Sequence, residues 1–292
     1  MGLQLAERPV EKTRRLRRLA LTALPLTAVL VLSGCSEEGK RFAMPEPVTE
    51  EGTHILSLWQ GAWIAALVVG VFVWGLIFYA VVRFRRRSDD EIPVQTRYNL
   101  PLEIFYTIFP IIMVVVFFSH TVRVQNIVLD DSPPDNVVYV VGQQWSWTFN
   151  YPESVDGQNV YTAGTGNIIP TLYLPVGQTT RFELRTPDVI HDFGVPGFLM
   201  KMDVMPGQKN HFQVTPTTEG TYAGKCYELC GIYHSRMLFN VEVVSEAEYQ
   251  LRLDEMAERG DISDEPLLGP DLVCTQVGLP EEASQEFIEE CR

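Results

Sequence analysis

The segment CYELCGIYHSRM, Cys226 to Met237, brings two cysteines, a histidine and a methionine into one short stretch. Cys230 follows Cys226 by four residues, His234 follows by four more, and Met237 by three. A second histidine, His191, lies upstream in TPDVIHDFGVPG. Thiolate and thioether are soft ligands, and together with imidazole they select copper. Zinc accepts Cys and His, but a methionine ligand is unusual for it. One Cys, two His and a weak axial Met form the blue-copper pattern. The second cysteine changes that pattern, because two bridging thiolates can hold two copper ions close together, each with one histidine. Met237 then completes one ion. A loop carbonyl, best placed at Glu228, completes the other. One electron shared over two equivalent ions moves bond lengths little, which suits a fast electron relay. A disulfide between Cys226 and Cys230 is the alternative that their spacing permits.

The chain has five cysteines, Cys35, Cys226, Cys230, Cys274 and Cys291. An odd count in an exported protein needs an explanation. Export is suggested by Arg14-Arg15-Leu16-Arg17-Arg18, an apolar run from Leu19 to Leu32 and then LSGC. That tetrapeptide resembles the bacterial lipobox, whose cysteine is lipidated and becomes the first mature residue; a signal anchor with an incidental cysteine is the plainer alternative. The segment before Cys35 holds six basic and two acidic residues, so cleavage there makes the chain four charges more negative than −14. Cys274 and Cys291 lie in an acidic tail, where a disulfide would staple a segment without a core of its own; free thiols are the alternative.

These residues need elements to hold them. Ile55 to Val82 is an uncharged apolar run, and about 20 such residues cross a bilayer. It ends at Arg83, Arg85, Arg86 and Arg87, the positive cluster expected on the cytoplasmic side. A shorter apolar run, Ile104 to Ser119, returns the chain outward and contains Pro110, which is expected to kink it. Glu103 stands at the cytoplasmic mouth of this second span. It is either a functional ionisable group at membrane depth or a residue of the headgroup region. From Val137, short segments such as VVYVV, TLYLPV and LFNVEVV, rich in β-branched and aromatic residues, alternate with Gly and Pro turns; this predicts a β-sandwich or barrel. Trp145 and Trp147 have equal parity and are expected on one strand face. SEAEYQLRLDEMAERG reads as an amphipathic helix, followed by a loosely structured acidic remainder.

The expected fold class is therefore α+β, a two-helix membrane hairpin followed by an external β-sandwich. The expected boundaries are 1–34 for the signal peptide, 35–54 for an external linker, 55–123 for the hairpin, 124–245 for the copper domain and 246–292 for the acidic extension. An acidic external domain favours basic partners and disfavours nucleic acid.

HDFGVPGFLMKMDVMPG and CYELCGIYHSRM, with a two-span anchor ahead of a cupredoxin-like domain, resemble subunit 2 of haem–copper cytochrome c oxidases over about residues 55 to 245. The resemblance implies a dinuclear CuA centre with ligands His191, Cys226, Glu228 through its carbonyl, Cys230, His234 and Met237. It further implies electron entry at Trp145 in GQQWSWTFNY, a Mg²⁺ held jointly with subunit 1 by the Glu228 side chain, and a proton-path entrance at Glu103. Two positions depart from the family pattern, Ser146 for an aromatic and Gln143 for a histidine; they bear on the docking surface, not on the copper ligands. Expected partners are subunit 1 with its haem, the other oxidase subunits, membrane lipid, and as donor either a c-type cytochrome or a haem domain tethered in a supercomplex. Oxygen reduction and proton pumping would belong to the assembly, with no oxygen-reducing site in this chain alone. Three rivals differ in specific features. A quinol oxidase subunit would lack the copper ligands. A copper-delivery lipoprotein would need neither two spans nor Glu103. An electron-entry domain like that of nitrous oxide reductase would come with a large catalytic domain.

Overall fold

The computed structural model describes residues 36–88, 92–165 and 168–268. Cys35, Cys274 and Cys291 lie outside the described residues. The chain divides into two compact units, the first ending at Glu46 and the second starting at Pro47. In the first, the short helix α1 (Glu37–Lys40) is capped by Ser36, whose hydroxyl accepts from the Gly39 amide at 3.0 Å.

The second unit opens with the helices α2 (Glu50–Arg83) and α3 (Leu100–Val128). Both are apolar along most of their length and exposed in the isolated chain, as a helix facing lipid must be. α2 starts ahead of the apolar run because Thr49 caps it, its hydroxyl accepting from the Gly52 amide at 3.1 Å. α3 starts at an Asn99 cap that accepts from Leu102 N at 3.3 Å, and it runs without interruption through Pro110.

The β domain contains β1 (Asn136–Gln143), β2 (Ser146–Val155), β3 (Gln158–Ala163), β4 (Thr171–Pro175), β5 (Thr180–Arg185), β6 (His191–Val195), β7 (Met200–Val204), β8 (Asn210–Val214), β9 (Gly220–Cys226), β10 (Leu238–Val244) and β11 (Ile262–Ser263). They form a six-stranded sheet in the order β11-β3-β2-β1-β5-β8 and a five-stranded sheet in the order β4-β10-β9-β6-β7. β1 pairs with β5, and β10 with β4, in parallel; the other pairs are antiparallel. Between the sheets lies an aromatic core of Trp147, Phe149, Phe182, Phe193, Phe198 and Phe239, each almost fully buried. Phe193 and Phe239 stack at 4.8 Å. Such rings contribute most of a core's apolar burial, and paired rings add about 0.5–1.5 kcal/mol beyond area.

Three features depart from the sequence expectation. First, the segment before the first span is not a free linker throughout. Val48 N donates to Gly197 O and Thr217 N to Val48 O, both at 2.8 Å, while the Glu51 carboxylate accepts from Thr215 N at 3.0 Å. The membrane helix thus leaves directly from the β domain's surface. Second, the chain after Val244 belongs to the domain well past its expected end. α4 (Glu246–Glu258), capped by Ser245, buries Tyr249, Leu253 and Met256 along one face. β11 then extends the larger sheet, and buried Asn150 exchanges bonds with Leu267, accepting from its N at 2.8 Å and donating to its O at 3.2 Å. This segment covers β2 at Asn150, which explains why that polar residue is as buried as the aromatics beside it. Third, Trp145 and Trp147 do not lie on one strand. Gln144 and Trp145 form the turn between β1 and β2, so Trp145 leaves the strand before parity applies.

Candidate metal centre

The donor side chains come from two places on the smaller sheet. His191 is the first residue of β6, and Cys226 is the last residue of β9, its neighbour. The loop after β9 supplies Glu228, Cys230 and His234, and Met237 precedes β10. A strand pair and a returning loop therefore bring together residues 46 positions apart in sequence, His191 and Met237.

The sulfurs of Cys226 and Cys230 are 3.9 Å apart. A disulfide needs about 2.05 Å, so the two are unlinked thiols, both buried. Two sulfurs each about 2.3 Å from one tetrahedral ion lie roughly 3.8 Å apart, so the observed spacing suits a pair that shares metal. His191 Nδ1 is 4.0 Å from Cys226 Sγ, and His234 Nδ1 is 3.6 Å from Cys230 Sγ. Met237 Sδ is 3.8 Å from Cys230 Sγ, and the Glu228 carbonyl oxygen is 3.3 Å from Cys226 Sγ. The ligand atoms of His191, Cys226 and Cys230 all lie within 4.8 Å of one another, and His234, Met237 and the Glu228 carbonyl each adjoin one of the two sulfurs; this donor set fits copper better than any hard cation.

Electrostatics point the same way. Burial pushes the Cys230 thiol up, the neighbouring Cys226 adds to it, and the result is about 12. At Cys226 burial also opposes the thiolate, but bonds with His191 and with backbone outweigh it and the net direction is down. Two thiolates 3.9 Å apart in a buried site cannot both ionise unless a cation lies between them. Metal binding removes that conflict, and thiol protons are released as the sulfurs ligate.

Asp188, which the sequence did not single out, orients the site. Its carboxylate accepts from His191 Nε2 at 2.9 Å, Gln144 N at 2.7 Å and Val189 N at 2.6 Å. The bond to Asp188 holds the His191 proton on Nε2 and leaves Nδ1 free toward the sulfurs, the usual outer partner of a metal-bound histidine. Its only sequence signal was a carboxylate three residues before the histidine. Trp145 sits over the copper loop: its Nε1 donates to Cys230 O at 3.2 Å, and its ring meets Tyr233 edge-on at 5.1 Å. Trp147 is core, with Nε1 donating to Met237 O at 3.3 Å. Gly231, at φ +127°, has no room for a side chain, since a Cβ would lie 2.8 Å from the Trp145 ring.

The other expected site residues lie apart from this cluster. The Glu228 side chain points outward and is exposed. Glu103 is in the first turn of α3, where its carboxylate accepts from Asn99 N at 3.0 Å and completes the helix cap. That bond gives Glu103 a local structural role at the start of the helix.

A two-helix anchor ahead of a β-sandwich with a buried Cys/His/Met centre defines a membrane-tethered cupredoxin-type electron carrier. The model of the transmembrane domain of cytochrome c oxidase subunit II matches residues 38–122, and that of the periplasmic domain of the same subunit matches residues 136–244. The chain is 50% identical over 287 residues to a Streptomyces avermitilis protein named "Probable cytochrome c oxidase subunit 2", covering 85% of this chain and 89% of that one. It is 36% identical over 299 residues to cytochrome c oxidase subunit 2 of Mycobacterium bovis, covering 83% and 82%. Among solved structures, the periplasmic domain of subunit II of cytochrome oxidase of Bradyrhizobium japonicum is 25% identical, with a TM-score of 0.40, covering 44% of this chain and 96% of that one. The chain belongs to the cytochrome c oxidase subunit II family. It is the electron-entry subunit of a haem–copper oxidase, with two membrane-spanning helices and an external copper domain.

Proposed function

We propose that Cys226 and Cys230 bridge two copper ions, with His191 and His234 each ligating one, Met237 completing one ion and the Glu228 carbonyl the other. The observation that carries this reading is the buried, unlinked sulfur pair at 3.9 Å with two Nδ1 atoms, a thioether and a carbonyl around it. Bound there, the copper pair supplies a one-electron couple whose charge is spread over both ions. The protein's part is to hold the donors in place in either oxidation state and to keep water out. The fully buried His191 and Met237 and the nearly buried cysteines support that role.

Trp145 is the proposed entry residue. It lies between solvent and the Cys230 carbonyl, half-buried in a two-residue turn. The donor is a c-type haem protein, free or tethered, and the acidic charge of this chain favours a basic docking face. The exposed Glu228 carboxylate is the proposed ligand of a Mg²⁺ shared with subunit 1; a hard ion suits one carboxylate plus waters. Glu103 is the proposed entrance of a proton path into subunit 1. Cys35 is the proposed lipidation site, and Cys274 and Cys291 the proposed disulfide.

The deciding experiment is an EPR spectrum of the full-length chain loaded with copper. A seven-line hyperfine pattern, the mark of one electron over two equivalent coppers, is expected. A four-line pattern from a single copper rejects the ligand set. For Glu103, the glutamine variant keeps an oxygen for the Asn99 amide, so the helix should persist while proton uptake by the assembled oxidase slows. Unchanged uptake leaves Glu103 with the helix cap alone.

A further inference from the structure

Gln144 has no role in the reading above, yet it touches both arms of the metal centre. Its backbone N–H donates to Asp188 Oδ2 at 2.7 Å, and the other oxygen of that carboxylate accepts from His191 Nε2 at 2.9 Å. Its side-chain Nε2 donates to the Cys230 carbonyl at 2.7 Å. The same carbonyl accepts the longer bond from Trp145 Nε1, at 3.2 Å. One residue therefore links the strand that carries His191, the loop that carries Cys230, and the turn that carries Trp145.

The packing underneath leaves little slack. A Cβ on Gly231 would lie 2.8 Å from the Trp145 ring and 3.2 Å from Gln144 Nε2. The turn thus rests on bare backbone just after Cys230. Gln144 and Trp145 are both half-buried, so water can reach the Cys230 carbonyl once the amide is gone. Of the two bonds to that carbonyl, the amide's is the shorter and comes from a side chain pinned at its own backbone by Asp188. The indole bond is longer, and without the amide it is the weaker restraint on the turn.

We infer that Gln144 is a positioning residue for electron entry: its amide clamps the turn to the Cys230 loop, holding Trp145 against the copper ligands and the Cys230 arm in register with the His191 arm. This rests on the reading of Trp145 as the entry residue. Groups around metal ligands commonly affect affinity or activity by about 10–100-fold when removed. The sequence adjacency of Gln144 and Trp145 hides the distinction between the two, because only the fold shows that one faces the carbonyl as a clamp and the other as a conductor.

The test uses Gln144→Leu, which keeps bulk and removes the donor, and Gln144→Glu, which keeps shape and sets a carboxylate against the carbonyl, beside Trp145→Phe. In the assembled oxidase, both Gln144 variants should lower the saturating rate of electron entry by about tenfold while changing the half-saturating donor concentration less than twofold. In the copper-free full-length chain, hydrogen exchange of the segment 228–236 should accelerate in both. The EPR hyperfine splitting of the loaded chain should change as the Cys230 arm relaxes. A raised half-saturating donor concentration with an unchanged saturating rate makes Gln144 a docking contact and overturns the proposal, as do wild-type exchange and hyperfine splitting. If Trp145→Phe leaves the entry rate intact, the entry reading fails by itself. Faster exchange in the Gln144 variants would then still establish the clamp on the Cys230 loop.

Discussion

Removing the Asp188 carboxylate tests whether the fold, and not the ligand list alone, makes the metal centre. Asp188→Ala deletes the acceptor for His191 Nε2, at 2.9 Å, and for the Gln144 amide, at 2.7 Å. His191 is fully buried, so its N–H loses the one acceptor that the fold provides for it. An unpaired buried donor costs about 1–3 kcal/mol, and the copper-free chain should lose about that much stability. The freed imidazole can also rotate or take its proton on Nδ1. Loss of such an outer partner typically weakens metal binding 10–100-fold, or about 1.4–2.8 kcal/mol. The assays are a copper titration of the full-length chain against a competing chelator and denaturant unfolding of the copper-free form. Wild-type affinity together with wild-type stability would refute the orienting role. The pH dependence gives a second check. Burial opposes an imidazolium at His191, but bonds with Asp188 and Cys226 outweigh it and raise its pKa above 6.5. Burial also opposes the Asp188 carboxylate, yet bonds from His191, Gln144 and Val189 bring its pKa below 3.8. The raised histidine contributes stability that is fully present below 6.5 and lost as pH climbs through its folded value. The lowered carboxylate contributes stability that is fully present above 3.8 and lost as pH drops through its folded value. The copper-free wild type should therefore gain most from the pair between pH 3.8 and 6.5, and Asp188→Ala should flatten that window.

Copper uptake near neutral pH should release protons, because the Cys230 thiol, pushed up to about 12, must ionise to ligate; a weakly buffered titration with no proton release contradicts the bridging role. Gly231→Ala should displace Trp145, since the new Cβ meets its ring at 2.8 Å; slowed electron entry with copper retained is expected, and an unchanged entry rate would count against the contact. Gly224→Ala sets a Cβ 2.1 Å from the Phe239 ring inside the sandwich. Overpacking of this kind costs about 1–3 kcal/mol or more, read as a lower denaturation midpoint, and an unaltered midpoint would mean that the ring can move aside. Truncation after Ser245 should destabilise the domain as well as shorten it, because Tyr249, Leu253 and Met256 leave the core and Asn150 loses its Leu267 partners; equal stability of the truncated chain would show that the segment is dispensable.

Several elements were legible before any coordinates. The two spans follow from uninterrupted apolar stretches, because a bilayer imposes a length on its own. The β-strands follow from β-branched and aromatic runs between Gly and Pro turns. The candidate donors follow from their chemistry, because few short segments combine two thiols, an imidazole and a thioether, and the fold brings Cys226, Cys230 and His191 together. Other elements were not legible because they depend on what lies across from a residue in space. Trp145 and Trp147 have equal parity in sequence, but a turn at Gln144 and Trp145 leaves one half-buried beside the core and the other fully inside it. The docking of the segment up to Leu268 was not legible because Asn150, which holds Leu267, is more than a hundred positions away in the chain.

The amino-acid order alone determined the kinds of group available: soft donors for a metal, apolar length for a membrane, branched side chains for a sheet. Tertiary structure alone decided which of them meet. It placed unlinked sulfurs 3.9 Å apart, turned the His191 ring with Asp188 and rested Gln144 and Trp145 on the Cys230 carbonyl. The physical reason is that ligand identity is a property of single residues, whereas distance and orientation are set by strand pairing and by hydrogen bonds between segments far apart in sequence.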